Sequence, residues 1–345
     1  MGAPRVLFRC DAGPEIGGGH VMRCLTLANE LASRGAEIAF CVNDGAEKTA
    51  PALAGAGYAV IGTSDERPRL PESWTSADLL VLDRYDADRA EMTAARRLAP
   101  RLVVIDDLAN RPLDADLVIN PNPADGPDAH DGLLAPGTPV LAGAAQALIR
   151  PEFAAARFAA LERRAEGGHV RRVLVSLGLS DVGGVTARAV EGVRRALPDT
   201  LIDVVIGAHA PSRDALEARA AADPSLTVTI NATDMAARCA AADLAVGAGG
   251  QSALERCVTG LPGVIVVLAE NQRRAAAGIA GQGAAIALED GPDLAARLAP
   301  LLTTLASDAE ARQAMSRAAS AACDGHGAAR AADAIEQLLN GARAA

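Results

Sequence analysis

Hydrophobic residues occur along this chain in short, unbroken runs that alternate with longer stretches of helical periodicity. Continuous apolar runs are typical of strands buried on both faces of a parallel sheet that is covered by helices. In the first 120 residues these runs are RVLFRC, EIAFCVN, YAVIG, DLLVLD, RLVVID and DLVIN. The stretch HVMRCLTLANELASRG, after the first run, spaces its apolar residues along one helix face. The pattern therefore predicts an α/β fold for this half of the chain.

The alternation stops at a loop-like segment and then starts again. Residues 121–139, PNPADGPDAHDGLLAPGTP, are rich in residues that favour turns. Strand-like runs resume as RRVLVSLG, LIDVVIG, LTVTI, DLAVGAG, GVIVVLA and AAIAL. We predict two α/β domains, residues 1–150 and 151–345, with the terminal helices able to pack back on the first domain. Because ligands bind beyond the carboxyl ends of parallel strands, two such domains facing each other would form a cleft.

Composition narrows the classes of partner. The chain has 345 residues, a net charge of −10 and only 2% aromatic residues. Nucleic acids and anionic membranes are therefore poor default partners, because both call for basic surfaces and nucleic acids also for stacking aromatics. No signal peptide or transmembrane segment is evident from the apolar runs. We expect a cytoplasmic monomer that acts on a small molecule, with neither nucleic acid nor membrane as partner.

Six cysteines are scattered through the sequence without a CxxC pair. Neither a disulfide framework nor a zinc site is indicated by that spacing. We expect these residues to be small buried side chains in a reducing compartment. We expect no metal and no cofactor.

A glycine loop followed by a histidine is the first candidate for chemistry. In VLFRCDAGPEIGGGHVMRC, a strand delivers Asp11 at its carboxyl end, and His20 stands where the helical pattern begins. The positive end of a helix dipole disfavours an imidazolium, so we expect a neutral ring that can accept a proton. The alternative is that His20 only caps the helix. The loop matches neither a dinucleotide fingerprint nor a P-loop.

A second glycine turn lies in DLAVGAGGQSALERCVTGLP, residues 243–262. The order is again strand, glycine turn, helix. Gly247, Gly249 and Gly250 would let the backbone approach a ligand closely, and the start of the new helix favours a phosphate. This stretch predicts a nucleotide-binding turn.

Polar residues near this turn have two interpretations. Ser252 and Glu255 have the spacing of a capping box, but Glu255 could instead accept hydrogen bonds from ribose hydroxyls. Asn271 and Gln272 follow the next strand, where amides suit a nucleoside or a sugar and equally suit a helix cap.

Other polar residues are weaker candidates. LDRYD places Asp83 and Tyr85 at a strand end, where a packing role for the tyrosine is the main alternative. VIDDLANRP offers Asp106 and Asp107, a carboxylate pair without a third metal ligand. The remaining histidines stand in polar contexts and are expected to be solvated: His130, His169, His209 and His326.

Several motifs of this chain, in this order, resemble those of the UDP-sugar hydrolases of pseudaminic acid biosynthesis. They are VLFRCDAGPEIGGGHVMRCLTLA, IDDLANRPLDADLVINPN, LIRPEF, VSLGLSD, AGGQSALERCVTGLP and LAENQ. The resemblance implies a GT-B fold, in which two Rossmann-like domains with parallel sheets face each other across a cleft. It also implies metal-independent hydrolysis of UDP-2,4-diacetamido-2,4,6-trideoxy-β-L-altropyranose to UDP and the free sugar, a step toward nonulosonic acids used in flagellin glycosylation.

Site residues follow from the same resemblance. It implies that His20 activates the attacking water and that Tyr85 lines the sugar site beside it. The implied substrate-binding residues are Arg9, Asp11, Gly17 and Gly19 around the histidine, and Gly249, Gly250, Ser252, Glu255, Asn271 and Gln272 around the nucleotide.

Two positions depart from the pattern that the resemblance implies. Leu179 replaces a second glycine in SLGLSD, and Gln146 replaces a tyrosine before ALIRPEF. The first could change how its loop approaches a ligand, and the second bears on which sugar is bound. The alternative function is that of a GT-B glycosyltransferase, in which the same base deprotonates an acceptor hydroxyl in place of water.

Overall fold

The computed structural model describes residues 2–13, 16–64 and 67–343. The chain divides into two compact units, one formed by residues 1–149 and 326–345 (unit 1) and one by residues 150–325 (unit 2). The last helix of the chain therefore belongs to unit 1. Each unit is an α/β structure around its own sheet.

Unit 1 contains a parallel sheet of seven strands within the described residues. The strands are β1 (Arg5–Cys10), β2 (Glu37–Asn43), β3 (Ala59–Thr63), β4 (Leu79–Asp83), β5 (Arg101–Ile105), β6 (Leu117–Asn120) and β7 (Val140–Ala142). Their order is β3-β2-β1-β4-β5-β6-β7. The chain thus changes direction across the sheet between β1 and β4, the position where α/β sheets bind ligands.

Unit 2 contains six parallel strands in the part of the chain that the structure describes. They are β8 (Arg172–Ser176), β9 (Leu201–Ile206), β10 (Leu226–Ile230), β11 (Leu244–Ala248), β12 (Gly263–Val267) and β13 (Ile286–Glu289). The order β10-β9-β8-β11-β12-β13 repeats the topology of unit 1, with its own change of direction between β8 and β11. The predicted fold class, two α/β domains with parallel sheets, is confirmed.

Helices cover these sheets. In chain order they are α1 (Gly19–Ser33), α2 (Ala46–Thr49), α3 (Arg89–Ala95), α4 (Pro151–Ala165), α5 (Val185–Ala196), α6 (Arg213–Ala222), α7 (Met235–Ala241), α8 (Gln251–Val258), α9 (Glu270–Gly281), α10 (Leu294–Ser307), α11 (Ala309–Ala322) and α12 (Gly327–Arg343). Within the described ranges, no helix is long and apolar enough to cross a membrane.

Both faces of β1 are buried, which explains its unbroken apolar run. Val6 and Phe8 pack in a core with α1 and α12, whereas Leu7 packs in a separate core on the other face of the sheet. Side chains alternate along a strand, so the two faces continue to its carboxyl end. Cys10 lies on the α1 face, and Arg9 points to the opposite face.

The segment that was expected to be loop, residues 121–139, is more structured than its composition predicts. It contains a 3-10 helix, Pro127–His130, and is followed by β7 and a second 3-10 helix, Ala144–Gln146. A three-residue strand after a proline-rich segment carries almost no periodic signal, which is why the sequence pattern did not indicate it. All six cysteines are buried, as expected, and within the described residues none forms a disulfide.

Candidate functional site

The loop before α1 places His20 in the first helical turn. Gly13 and Gly17 exchange two backbone hydrogen bonds, and Gly17 has a φ of 72°, which favours glycine. Residues 14 and 15 of this loop lie outside the described residues. Gly18 is the cap residue of α1, and among the described residues no side chain caps the helix there. His20 is therefore not a helix cap, and the capping interpretation is wrong.

The His20 side chain points to the end of β4. Its Nδ1 lies 2.6 Å from Asp83 Oδ1, and the imidazole is 11% exposed while Asp83 is fully buried. Arg23, one helical turn after His20, donates from Nε to Asp83 Oδ2 and from Nη2 to Oδ1, both at 2.6 Å. The Cys24 thiol lies 3.6 Å from Asp83 Oδ2. We call His20, Asp83 and Arg23 the His20 cluster.

The charges of this cluster compensate one another. Burial by itself would raise the pKa of Asp83, but the neighbouring Arg23 and His20 outweigh it and hold that pKa below its ordinary value. Burial would likewise lower the pKa of Arg23, but Asp83 and Asp107 outweigh it and raise that pKa. Asp83 and Arg23 are therefore an ion pair inside the protein.

Two further residues enclose the His20 cluster. The ring of Tyr85 meets the His20 imidazole edge-on, with the ring centroids 4.6 Å apart and an angle of 80° between the planes. Arg23 Nη1 donates to Asp107 Oδ2 at 2.8 Å. Burial raises the pKa of Tyr85, and the carboxylates of Asp107 and Asp83 raise it further although Arg23 opposes them. Tyr85 thus remains a neutral phenol beside the imidazole.

The predicted Arg-x-Asp pair lies at the end of β1, with Arg9 on the face away from α1. Arg9 is buried and donates to the Cys10 carbonyl and to Asp11 Oδ1. Asp11 Oδ1 also accepts from the backbone N–H of Asn43 at 3.0 Å, and its Oδ2 lies 3.1 Å from Arg84 Nε. The contacts of this pair hold the loop after β1 in place, and a ligand role for either residue stays a prediction.

Glycine at position 19 leaves open space. A Cβ placed on Gly19 would meet no described atom within 4 Å, whereas one on Gly18 would lie 3.3 Å from the Thr49 carbonyl oxygen. Gly18 therefore serves packing. Gly19 leaves the backbone accessible, as a close approach to a ligand would require.

His130 was expected to be solvated, and this expectation is wrong. It ends a 3-10 helix, Pro127–His130, and its side chain is 0% exposed. Its Nε2 lies 2.8 Å from Asp106 Oδ2, and Arg111 donates to Asp106 Oδ1 at 2.7 Å. We call His130, Asp106 and Arg111 the His130 cluster. Since Asp106 is occupied in this way, it does not form a metal pair with Asp107.

No metal centre emerges from the described residues. Across residues 2–13, 16–64 and 67–343, no group of three or more His, Cys, Asp or Glu side chains is placed to hold a metal ion.

In unit 2 the glycine turn joins β11 to α8. Gly250 is the cap residue of α8, and no described side chain caps the helix. A Cβ on Gly250 would meet no atom closer than 4.0 Å, so this residue faces open space. A Cβ on Gly249 would lie 3.2 Å from Gln272 and 3.3 Å from Ile265, so this residue is closely packed. Gly247 makes room for the buried Arg256 guanidinium, which a Cβ would approach within 2.3 Å.

The predicted capping box is absent from α8. Ser252 Oγ lies 3.3 Å from Arg256 Nη1, and Glu255 Oε1 accepts from Arg150 Nε at 3.0 Å. Burial raises the pKa of Glu255, although Arg150 opposes this shift. Glu255 is almost fully enclosed, and its described partner is a residue at the start of α4.

The amide pair after β12 splits into an internal residue and an exposed one. Gln272 Oε1 accepts from the backbone N–H groups of Gly249 and Leu268, both at 3.2 Å. It therefore joins the turns that follow β11 and β12. Asn271 is exposed in the first turn of α9, whose cap residue is Ala269, so neither amide is the predicted helix cap.

The two departures from the expected pattern lie at different kinds of position. Gln146 Oε1 accepts from Arg330 Nε at 3.3 Å and so contacts α12. Leu179 has an exposed side chain in the loop after β8, and its carbonyl accepts from Gly207 N–H at 3.1 Å.

The sequence pattern did not indicate Arg23, and it assigned no role to Asp83 or Asp107. A signal for Arg23 was present, because residues three apart on a helix share one face and Arg23 is three residues after His20. Asp83 and Asp107 come from the ends of two neighbouring strands, and that adjacency became visible only with the strand order.

The whole chain is similar in fold to several solved structures, among them that of a glycosyltransferase. It superposes on MurG of Acinetobacter baumannii with a TM-score of 0.69 at 16% identity, covering 97% of this chain and 99% of MurG. The calicheamicin glycosyltransferase CalG4 gives 0.63 at 19% identity, with 99% of each chain covered. MnaA of S. aureus, solved with UDP, gives 0.63 at 11% identity over 98% and 97% of the chains. The fold is therefore of the GT-B class.

Sequence comparison points the same way for part of the chain. Residues 204–338 match the model of the glycosyltransferase family 28 C-terminal domain. The UDP-N-acetylglucosamine–N-acetylmuramyl-(pentapeptide) pyrophosphoryl-undecaprenol N-acetylglucosamine transferase of Xanthomonas campestris pv. campestris is 35% identical over 197 residues, 55% of this chain and 45% of the transferase. The chain thus spans about half the length of the curated relatives it matches.

Proposed function

We propose that this protein is a glycosyltransferase that uses a UDP-sugar as donor. The observation that carries the proposal is the match of residues 204–338 to a glycosyltransferase domain. Relatives that are 35% identical to the chain over 197 residues carry UDP-N-acetylglucosamine in their names. The repeated strand order of the two units agrees with this class of enzyme.

In this proposal His20 is the general base. It accepts the proton of the acceptor hydroxyl while that oxygen attacks the anomeric carbon and the bond to UDP breaks. The carbon passes through an oxocarbenium-like state, as in other glycosyl transfers. A positioned base of this kind contributes about 10²–10⁴-fold to turnover. Tyr85, which packs against the imidazole, is the second residue that we assign to the reaction.

Unit 2 would bind the nucleotide. The first N–H groups of α8 have no described side-chain cap, and the open face of Gly250 lets a diphosphate approach them. Backbone donors at a helix start also stabilise the negative charge on a departing diphosphate. The binding residues that we propose are Arg9, Asp11, Gly17, Gly19, Gly249, Gly250, Ser252, Glu255, Asn271 and Gln272.

Hydrolysis of a UDP-sugar is the second candidate function. It is favoured by the Arg-x-Asp and Gly-x-Gly-His motifs, which resemble those of UDP-sugar hydrolases. The His20 ring is only 11% exposed and packs against Tyr85, a setting that a water molecule reaches more easily than a bulky acceptor does. The substrate would then be UDP-2,4-diacetamido-2,4,6-trideoxy-β-L-altropyranose.

One assay separates these candidates. The purified protein is incubated with UDP-N-acetylglucosamine or the diacetamido UDP-sugar, with and without lipid-linked muramyl acceptor, and UDP release is followed. Release that depends on the acceptor supports the transferase, and release without any acceptor supports the hydrolase. If both UDP-sugars bind but UDP is released under no condition, both functions are contradicted. The protein would then be a nucleotide-sugar sensor.

The role of His20 is tested with His20→Asn. We expect UDP to bind as to the wild type, because the proposed nucleotide residues are unchanged. Turnover should fall by about 10²–10⁴-fold because the base is lost. UDP affinity is measured by calorimetry and turnover by UDP release. Near-normal turnover would remove His20 from the mechanism.

A further inference from the structure

We propose that Arg23 is a positioning residue that, through Asp83, holds the proton of His20 on Nδ1 and so turns the free Nε2 toward the reacting acceptor. This inference rests on the proposed role of His20 as the base. It assigns a task to a buried guanidinium that touches no reacting atom.

The geometry defines which ring nitrogen carries the proton. His20 Nδ1 and Asp83 Oδ1 are 2.6 Å apart, a distance at which a hydrogen must lie between them. The carboxylate is ionised, since it accepts two hydrogen bonds from Arg23, so the hydrogen belongs to Nδ1. In a neutral imidazole the other nitrogen, Nε2, then holds the lone pair that a base needs.

A close approach between two donors supports the same assignment. Arg23 Nη2 lies 3.4 Å from His20 Nδ1, and a guanidinium can only donate. Both nitrogens point to Asp83 Oδ1, so their approach is that of two donors sharing one acceptor. The arrangement is consistent with a hydrogen on Nδ1.

Arg23 fixes Asp83 in orientation and in charge. The two-point contact through Nε and Nη2 prevents the carboxylate from rotating, and both of its oxygens are occupied by donors. The remaining nitrogen, Nη1, is anchored on Asp107 at 2.8 Å. A lysine would supply charge but could not make this forked contact with both carboxylates.

The first test measures the proton position directly in the wild type. Selective ¹⁵N labelling of histidine gives separate NMR signals for protonated and unprotonated ring nitrogens, and the His20→Asn variant assigns those of His20. We expect His20 to carry its proton on Nδ1 at pH 8. A proton on Nε2 would overturn the proposal, whatever the protein's activity. The measurement is thus independent of whether the proposed function is correct.

The second test uses Arg23→Lys with Arg34→Lys as a matched control. Arg34 follows the last residue of the same helix and contacts Glu30, Asp333 and Glu336, away from His20. We expect Arg23→Lys to mix the two His20 tautomers and to lower kcat about 10²-fold with little change in UDP affinity. Arg34→Lys should keep one tautomer and change kcat by less than about threefold.

A merely structural role for Arg23 would give a different pattern. The variant would then lose thermal stability while the folded fraction kept the Nδ1–H tautomer and the wild-type kcat, and that result would refute the proposal. If Arg23→Lys does not fold, Asp83→Asn takes its place in the same two measurements. An unmixed Nδ1–H tautomer in folded Asp83→Asn would also refute it.

Discussion

Two clusters, each made of one histidine, one aspartate and one arginine, lie at the ends of neighbouring strands of unit 1. The His20 cluster is centred on Asp83 at the end of β4, and the His130 cluster on Asp106 directly after β5. Both aspartates are 0% exposed, and each lies within hydrogen-bond distance of a histidine ring nitrogen and accepts from an arginine. Their chemistry is alike, so composition alone cannot say which of them acts on a substrate.

The difference is in the histidines. His20 is partly exposed, stands at the start of α1 and contacts its aspartate through Nδ1, which leaves Nε2 on the outer side. His130 is fully enclosed, contacts Asp106 through Nε2, and its Nδ1 is buried with no hydrogen-bond partner in the described residues. An imidazole that solvent and substrate cannot reach serves structure. The same three residue types thus make a candidate base in one place and a core contact in the other.

The sharpest way to break this comparison is to neutralise each aspartate in turn. Asp83→Asn should lower kcat by about 10²–10⁴-fold, because the carboxylate that orients the base is gone. UDP affinity should stay near the wild-type value. UDP release and calorimetry measure the two quantities.

Asp106→Asn is the matched control. It changes an aspartate with the same burial and the same kinds of partner, so it should weaken folding while kcat of the folded protein changes by less than about tenfold. Equal losses of kcat in the two variants would mean that the clusters do not differ in function.

When the histidines are changed, the larger effect should be on the His130 cluster, and it should be a loss of stability. His130→Leu removes a donor from Asp106 at a site that water does not reach, so the free energy of unfolding should fall by about 1–3 kcal/mol. His20→Leu should cost less than about 1 kcal/mol, because water can take the place of a partly exposed ring. Urea unfolding measures both variants. A larger loss in His20→Leu would show that the two sites have been assigned the wrong way round.

Most of the fold could be predicted from the sequence, because strands buried on both faces consist of unbroken apolar runs. β7 was the exception, since a strand of three residues leaves no pattern. His20 was also readable, because a glycine loop and a helix start are local features. The residues that define its environment were not, because Asp83 is 63 positions away in the chain.

Wrong interpretations share the same cause. Ser252 and Glu255 have the local spacing of a capping box, but Glu255 pairs with Arg150, which is 105 positions away. His130 stands in a polar segment that resembles a solvated loop, yet the segment folds into a 3-10 helix that buries the ring against Asp106. Local patterns describe what a residue prefers, and long-range partners decide what it does.

The smallest expected effect is on stability in acid. It tests a property that the two clusters share, which is an aspartate with a lowered pKa. Arg23 and His20 hold the pKa of Asp83 below its ordinary value against the effect of burial, and His130 and Arg111 do the same for Asp106. A carboxyl with a depressed folded pKa contributes stability that is present above its unfolded pKa and is lost as the pH falls through the folded pKa. Both clusters should therefore weaken together below about pH 4.

Between pH 6 and pH 4 each aspartate should account for only a few tenths of a kcal/mol, because most of the loss lies at lower pH. The difference in unfolding free energy between wild type and Asp83→Asn, or Asp106→Asn, should shrink over this range in urea titrations. Glu255→Gln provides the opposite sign, because burial raises the pKa of Glu255 and its contribution is lost as the pH rises through that pKa. If the Asp83 difference grew on acidification as the Glu255 difference is expected to do, Asp83 would be a carboxyl dominated by burial. The ion pair that orients His20 would then not hold.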